Sequence, residues 1–239
     1  MSAPTLLATA HGSRNRAARD SVESLLSEVH RQRPGLHAVG CYLDHTEPLL
    51  RDAVRALDGT AVVVPLLLTA AFHTGVDLPQ QLAASPVPIE QAAALGPHPL
   101  LLRALGRRLA EAGVPVGDGD TAIVLAAAGS SDPAAVASVA AVARSWAGAG
   151  WWDVLPAYAS AAAPTPAEAV AALRRRGAPR VVVASYLLSP GLFADSLRDA
   201  GADLVSAPLG DAPEVAAVVL ERYDDACARL AVGSSRSRR

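Results

Sequence analysis

The chain repeats itself, and the repeat decides what it can fold into. An apolar run, Thr5–Ala10, ends at His11-Gly12-Ser13-Arg14, and a second, Thr121–Ala127, ends in the same way at Ala128-Gly129-Ser130-Ser131. Tyr42-Leu43-Asp44 returns as Tyr158-Ala159-Ser160, and the run Val62–Leu68 returns as Val181–Leu188. Leu95-Gly96-Pro97-His98-Pro99 has its counterpart in Pro208–Pro213, and each opens a last amphipathic segment. Solenoid repeats have periods of about 20–50 residues. This period is far longer, so each copy is a whole folding unit.

Within a copy, apolar runs alternate with amphipathic segments, the pattern of an α/β fold with a mainly parallel sheet. Val22, Leu25, Leu26 and Val29 lie on one helical face, and so do Leu101, Leu102, Leu105 and Leu109. Strands are expected at Thr5–Ala10, Ala38–Leu43, Ala61–Leu68 and Pro88–Leu95, with a short helix at Pro48–Leu57. The Gly/Pro/Asp-rich stretch Gly113–Asp120 reads as the crossover between copies. The expected architecture is two similar α/β half-domains at 1–116 and 117–232, related by internal duplication, each a parallel sheet flanked by helices. A Ser/Arg tail at 233–239 is expected to be disordered.

Composition removes several function classes. With 21 basic and 23 acidic residues, the net charge of −2 argues against a nucleic-acid partner. Two cysteines, Cys41 and Cys227, build neither a disulfide framework nor a four-thiolate metal site. The apolar run Ala61–Phe72 is broken by Pro65 and is shorter than the roughly 20 residues of a bilayer span. Met1–Pro4 carry no basic leader, so a cytoplasmic protein with no membrane partner is expected. All the basic residues are arginine, which excludes a Schiff-base lysine and a Walker-loop lysine. Neither Gly-x-Ser-x-Gly nor Gly-x-Gly-x-x-Gly occurs.

Ligands of an open parallel sheet bind beyond the carboxyl ends of its strands. His11 follows the first strand, Asp44 and Glu47 the second, and His73 the third, so all four are expected on one rim. Two neutral imidazoles suit a borderline divalent ion, and a carboxylate beside them can ligate or accept protons. Gly12 permits close backbone approach, and the amides around Ser13 open a helix that can bind an anion, with Arg14 and Arg16 adding charge. The structural alternative has His11 capping a helix and His73 filling a loop. The copies differ where it matters. Ala128 replaces His11, Ser160 replaces Asp44, and no histidine stands opposite His73, so the first copy supplies the chemistry. His30, His37 and His98 have local structural readings, at a helix end, before a strand and at a helix start, while His45 neighbours Asp44.

Ala10–Arg14, Tyr42–Asp44 with Glu47-Pro48, Pro65–Leu68 and His73–Pro79, in this order and spacing, resemble the class II tetrapyrrole chelatases. The similarity is to the sirohydrochlorin chelatase group and covers nearly the whole chain, since long members of that family are duplicated. Asp44 departs from the family pattern, which has glutamate there; Glu47 is a candidate substitute. The resemblance implies insertion of a divalent metal, Fe2+ or Co2+, into sirohydrochlorin with no ATP or organic cofactor. It implies His11 and His73 as metal ligands, Asp44 or Glu47 as the family acid, and Gly12, Ser13, Arg14 and Arg16 around the substrate carboxylates; imidazoles or carboxylates on the rim can accept the pyrrole protons. Iron for sirohaem, cobalt for cobalamin and a non-catalytic binding protein of the same fold all stay open. Because both copies lie in one chain, a monomer is expected.

Overall fold

The computed structural model describes residues 3–69, 78–83 and 85–236. The elements run β1 (Thr5–Ala10), α1 (Arg16–Gln32), β2 (Ala38–Tyr42), α2 (Leu50–Arg55), β3 (Ala61–Pro65), α3 (Leu78–Leu82), β4 (Ile89–Gln91) and α4 (Pro99–Glu111). The pattern then restarts with β5 (Thr121–Ala127), α5 (Pro133–Ala147), β6 (Asp153–Tyr158), α6 (Pro166–Arg175), β7 (Arg180–Tyr186), α7 (Leu192–Ser196), β8 (Leu204–Val205) and α8 (Pro213–Arg236). The strands form two four-stranded sheets, β2-β1-β3-β4 and β6-β5-β7-β8, in which every pairing is parallel. Both the α/β class and the duplication are as the sequence predicts. The predicted strands at 61–68 and 88–95 are shorter in the structure, at Ala61–Pro65 and Ile89–Gln91. Past them the chain keeps isolated bonds such as Leu66 N–H to the Thr9 carbonyl and Ala92 N–H to the Val63 carbonyl, both at 2.8 Å.

Strands covered on both faces need continuous apolar runs. Leu6, Leu7, Ala8 and Val62–Val64 are accordingly buried in the first sheet, and Ala122–Ala126 and Val181–Ala184 in the second. One face of the first sheet packs Leu7, Cys41, Ala61 and Val63 against Leu50 and Val54 of α2 and Leu78 of α3. In the second sheet Ala122, Val124, Val181 and Val183 pack against Val170 and Leu173 of α6. Leu102, expected on the inward face of α4, instead lines a surface cavity of about 540 Å³ with Val116 and Trp146.

The compact units do not follow the repeat boundaries. One unit is Met1–Gly96 together with Asp211–Arg239, and the other is Pro97–Gly210. The half-domains expected at 1–116 and 117–232 therefore trade their last helices. Helix α8 packs on α1, β3 and β4 of the first unit, and α4 packs on β7 of the second. Each traded helix is tied by an equivalent arginine. Arg222 of α8 donates to the carbonyls of Ala94 (2.9 Å) and Leu95 (3.2 Å). Arg108 of α4 donates twice to the carbonyl of Leu209 (3.2 and 2.9 Å). The stretch 113–120 thus lies inside the second unit. Helix α8 also runs on to Arg236, into the segment expected to be disordered. Among the described residues no helix is long and apolar enough to cross a membrane.

Candidate active site

In the first sheet the strand order reverses between β1 and β3, which puts the binding rim beyond the carboxyl end of β1. Two loops meet there. The loop after β1 carries His11 to Asn15, and Asn15 caps α1 by accepting from the amide of Ala17 (2.9 Å). The loop after β2 carries Leu43 to Pro48. The ladder continues past the strands, because the amides of Leu43 and Asp44 donate to the carbonyls of Ala10 and His11, both at 3.0 Å. Gly12, at φ 99°, lets the loops touch, since a Cβ there would stand 1.7 Å from the carbonyl oxygen of Asp44.

His11 is exposed on this rim, as are Arg14, Arg16 and Glu47. The Asp44 side chain is 66% exposed; one carboxylate oxygen accepts from the amide of His45 at 2.7 Å, and the other lies 3.4 Å from His45 Nε2. Arg16 stands 3.9 Å from Asp20 with its side chain 92% exposed. His73 lies outside the described residues, so its expected place beside His11 does too. Among the described residues no three His, Cys, Asp or Glu side chains gather around a common metal position. Cys41 takes no such part, because burial pushes its thiol up to about 11 and a thiolate is what binds metal.

The helix-opening amides singled out from the sequence are partly engaged by the chain itself. Ser13 N–H donates to Thr46 Oγ1 at 3.1 Å, and Asn15 N–H donates to Ser13 Oγ at 3.1 Å. Thr46 is the residue that sequence reasoning missed. Its signal was available: the second copy has Ala162 at that position, so Thr46 joins His11 and Asp44 among the differences between copies. The remaining histidines keep structural roles. His98 Nδ1 caps α4 by accepting from the amide of Leu100 (3.2 Å), His30 lies in the last turn of α1, and His37 Nδ1 is 3.3 Å from Thr5 Oγ1.

The second unit rebuilds the same scaffold without the reactive groups. The amides of Ala159 and Ser160 donate to the carbonyls of Ala127 and Ala128, both at 2.9 Å. Gly129, at φ 93°, sits against the carbonyl of Ser160. His45 and Ala161 share the left-handed conformation at φ 61° and 56°, and cis Glu47-Pro48 matches cis Ala163-Pro164. Where Asp44 projects to solvent, Ser160 Oγ turns back to donate to the Ala128 carbonyl at 2.8 Å.

Two copies of one parallel α/β unit, one with an imidazole and a carboxylate beyond its central strands, define an internally duplicated α/β protein with polar groups on one rim. The sequence model of the CbiX family matches residues 5–112 and, separately, 122–226. The chain belongs to the CbiX family, among the class II tetrapyrrole chelatases. A sirohydrochlorin ferrochelatase of Priestia megaterium is 25% identical over 204 residues, 81% of this chain and 76% of that relative. The structure of SirB from Bacillus subtilis with Fe3+ matches at a TM-score of 0.77 and 22% identity, covering 95% of this chain and 96% of that one. SirB from Bacillus subtilis subspecies spizizenii in complex with cobalt matches at 0.73 and 19%, with the same coverage. Both likenesses concern the fold.

Proposed function

We propose that this chain inserts a divalent metal into sirohydrochlorin, with Fe2+ for sirohaem as the physiological ion and Co2+ as a competent alternative. The observation that carries the reading is the asymmetry between two rims built on the same hydrogen bonds: His11 and Asp44 stand in the first where Ala128 and Ser160 stand in the second. A rim that keeps its loops while losing its imidazole and carboxylate marks those side chains as functional. The curated relative named for iron supports Fe2+, and the SirB structures with Fe3+ and with cobalt keep both ions in play.

In this reading His11 and His73 hold the incoming ion, and two-imidazole ligation leaves positions open for the macrocycle nitrogens. Insertion exchanges two pyrrole protons for one divalent ion, and Asp44 and Glu47 accept those protons. Arg14 and Arg16, both exposed, meet substrate carboxylates, while Gly12 and Ser13 form the turn that presents His11. The reaction needs neither ATP nor an organic cofactor, and the protein works as a cytoplasmic monomer with no membrane or nucleic-acid partner. The test is an anaerobic mixture of protein, sirohydrochlorin and Fe2+ or Co2+ without ATP, followed by absorbance. Accelerated metallation, absent with Mg2+ because a hard ion keeps its oxygen ligands, is the expected result. Metal and tetrapyrrole binding with no acceleration over the protein-free rate overturns it.

A further inference from the structure

We infer that Thr46 is a positioning residue for His11, a role that rests on the proposed function of the rim. Its side chain lies half-buried between the two loops. Thr46 Oγ1 accepts from the Ser13 amide at 3.1 Å and donates to the Ser13 carbonyl at 2.8 Å. With the His11 carbonyl accepting from Asp44 N–H at 3.0 Å, the turn from His11 to Ser13 is held at both ends by the loop that carries Asp44.

The second unit supplies the internal control. Ala162 occupies the position of Thr46, and its amide donates to the Ser160 carbonyl at 2.7 Å just as the Thr46 amide donates to Asp44. The two loops there keep the same backbone bonds and the same glycine contact with no side-chain hydroxyl at position 162, and Ser160 Oγ bridges them at a different point, the Ala128 carbonyl. A hydroxyl at the Thr46 position is therefore not required for this pair of loops to form, and the grip on Ser13 is particular to the first copy. It is present in the copy that carries the imidazole, one residue from Arg14 and two from His11 along the chain it grips. A ligand histidine bound to a turn with one slack end would sample orientations that cost metal affinity. Groups that orient a metal-binding side chain typically change affinity or activity by about 10–100-fold when removed.

The test compares Thr46→Val, which keeps the shape and loses the hydroxyl, with Thr46→Ser, which keeps the hydroxyl. Cobalt affinity is read by titration without tetrapyrrole, insertion by absorbance, and stability by urea denaturation. Thr46→Val is expected to weaken cobalt binding and slow insertion by about 10-fold or more, with Thr46→Ser close to the parent. The decisive variant is His11→Ala with Thr46→Val. Read in cobalt affinity, since insertion is already lost in His11→Ala, a residue acting through His11 adds nothing to the loss caused by His11→Ala, whereas a merely structural role adds its own penalty. Parent-like cobalt affinity in Thr46→Val, or additive losses in the double variant, overturns the inference while leaving the reading of the site intact. A parent protein that binds no cobalt overturns both.

Discussion

An ideal Cβ on Gly12 would stand 1.7 Å from the carbonyl oxygen of Asp44 and 2.8 Å from its carbonyl carbon. The two loops of the rim are thus in backbone contact, at a residue whose φ of 99° already disfavours any side chain. Gly12→Ala must open the loops or strain them. A loss of at least about 2 kcal/mol is expected, measured by urea denaturation. Gly129→Ala, with 1.9 Å to the Ser160 carbonyl, should cost a similar amount. The pair separates two effects, since the first should also impair chelation at the reactive rim.

His11 is exposed, so His11→Ala should leave the unfolding free energy in urea within about 0.5 kcal/mol of the parent while abolishing insertion. Asp44→Ala should slow insertion, and Glu47→Ala should do so to the extent that Glu47 shares the proton-accepting role. Protonated imidazole has no lone pair for a metal, and histidine ordinarily titrates near 6.5. Turnover should therefore drop below about pH 6 and hold on the alkaline side. Undiminished turnover at pH 5 would contradict imidazole ligation.

The arginine ties on the traded helices give a stability prediction. Removing the Arg222 guanidinium leaves the Ala94 and Leu95 carbonyls without its donors, and Arg108→Ala does the same at Leu209. Each variant should lose about 1–3 kcal/mol. Hydrogen exchange should locate the loosening in α8 for Arg222→Ala and in α4 for Arg108→Ala.

The Thr165–Glu168 capping box sets a pH dependence in the second unit. The Glu168 carboxylate accepts from Thr165 N–H at 2.8 Å, and that bond, then the one with the Thr165 side chain, holds its pKa below the usual carboxylate range. A carboxyl with a lowered folded-state pKa stabilises the fold above its unfolded value, about 4.3. It loses that contribution as pH falls through the lower folded value. Glu168→Ala should melt below the parent at pH 7, and the gap should narrow towards pH 3. A gap that widens on acidification would contradict the sign.

Much of this was legible in the residues. The duplication, the parallel sheets and the placement of His11 and Asp44 beyond β1 and β2 follow from apolar runs ending at polar turns. The ownership of α4 and α8 was not legible. Leu101, Leu105 and Leu109 announce that α4 buries a face, but periodicity carries no information about which sheet receives it. Gly12 was read as freedom for a ligand's approach, and the structure shows that the neighbouring loop uses that freedom. Thr46 escaped because a lone threonine has no pattern, and only its replacement by Ala162 in the other copy sets it apart.

The traded helices make the unit of inheritance different from the unit of folding. A single copy, cut at its own boundary, would have a helix to lend and an uncovered sheet face to fill. Two identical copies could satisfy one another only by association, at a strength set by their concentration. Joining them end to end replaces that concentration with the fixed local one of a tether.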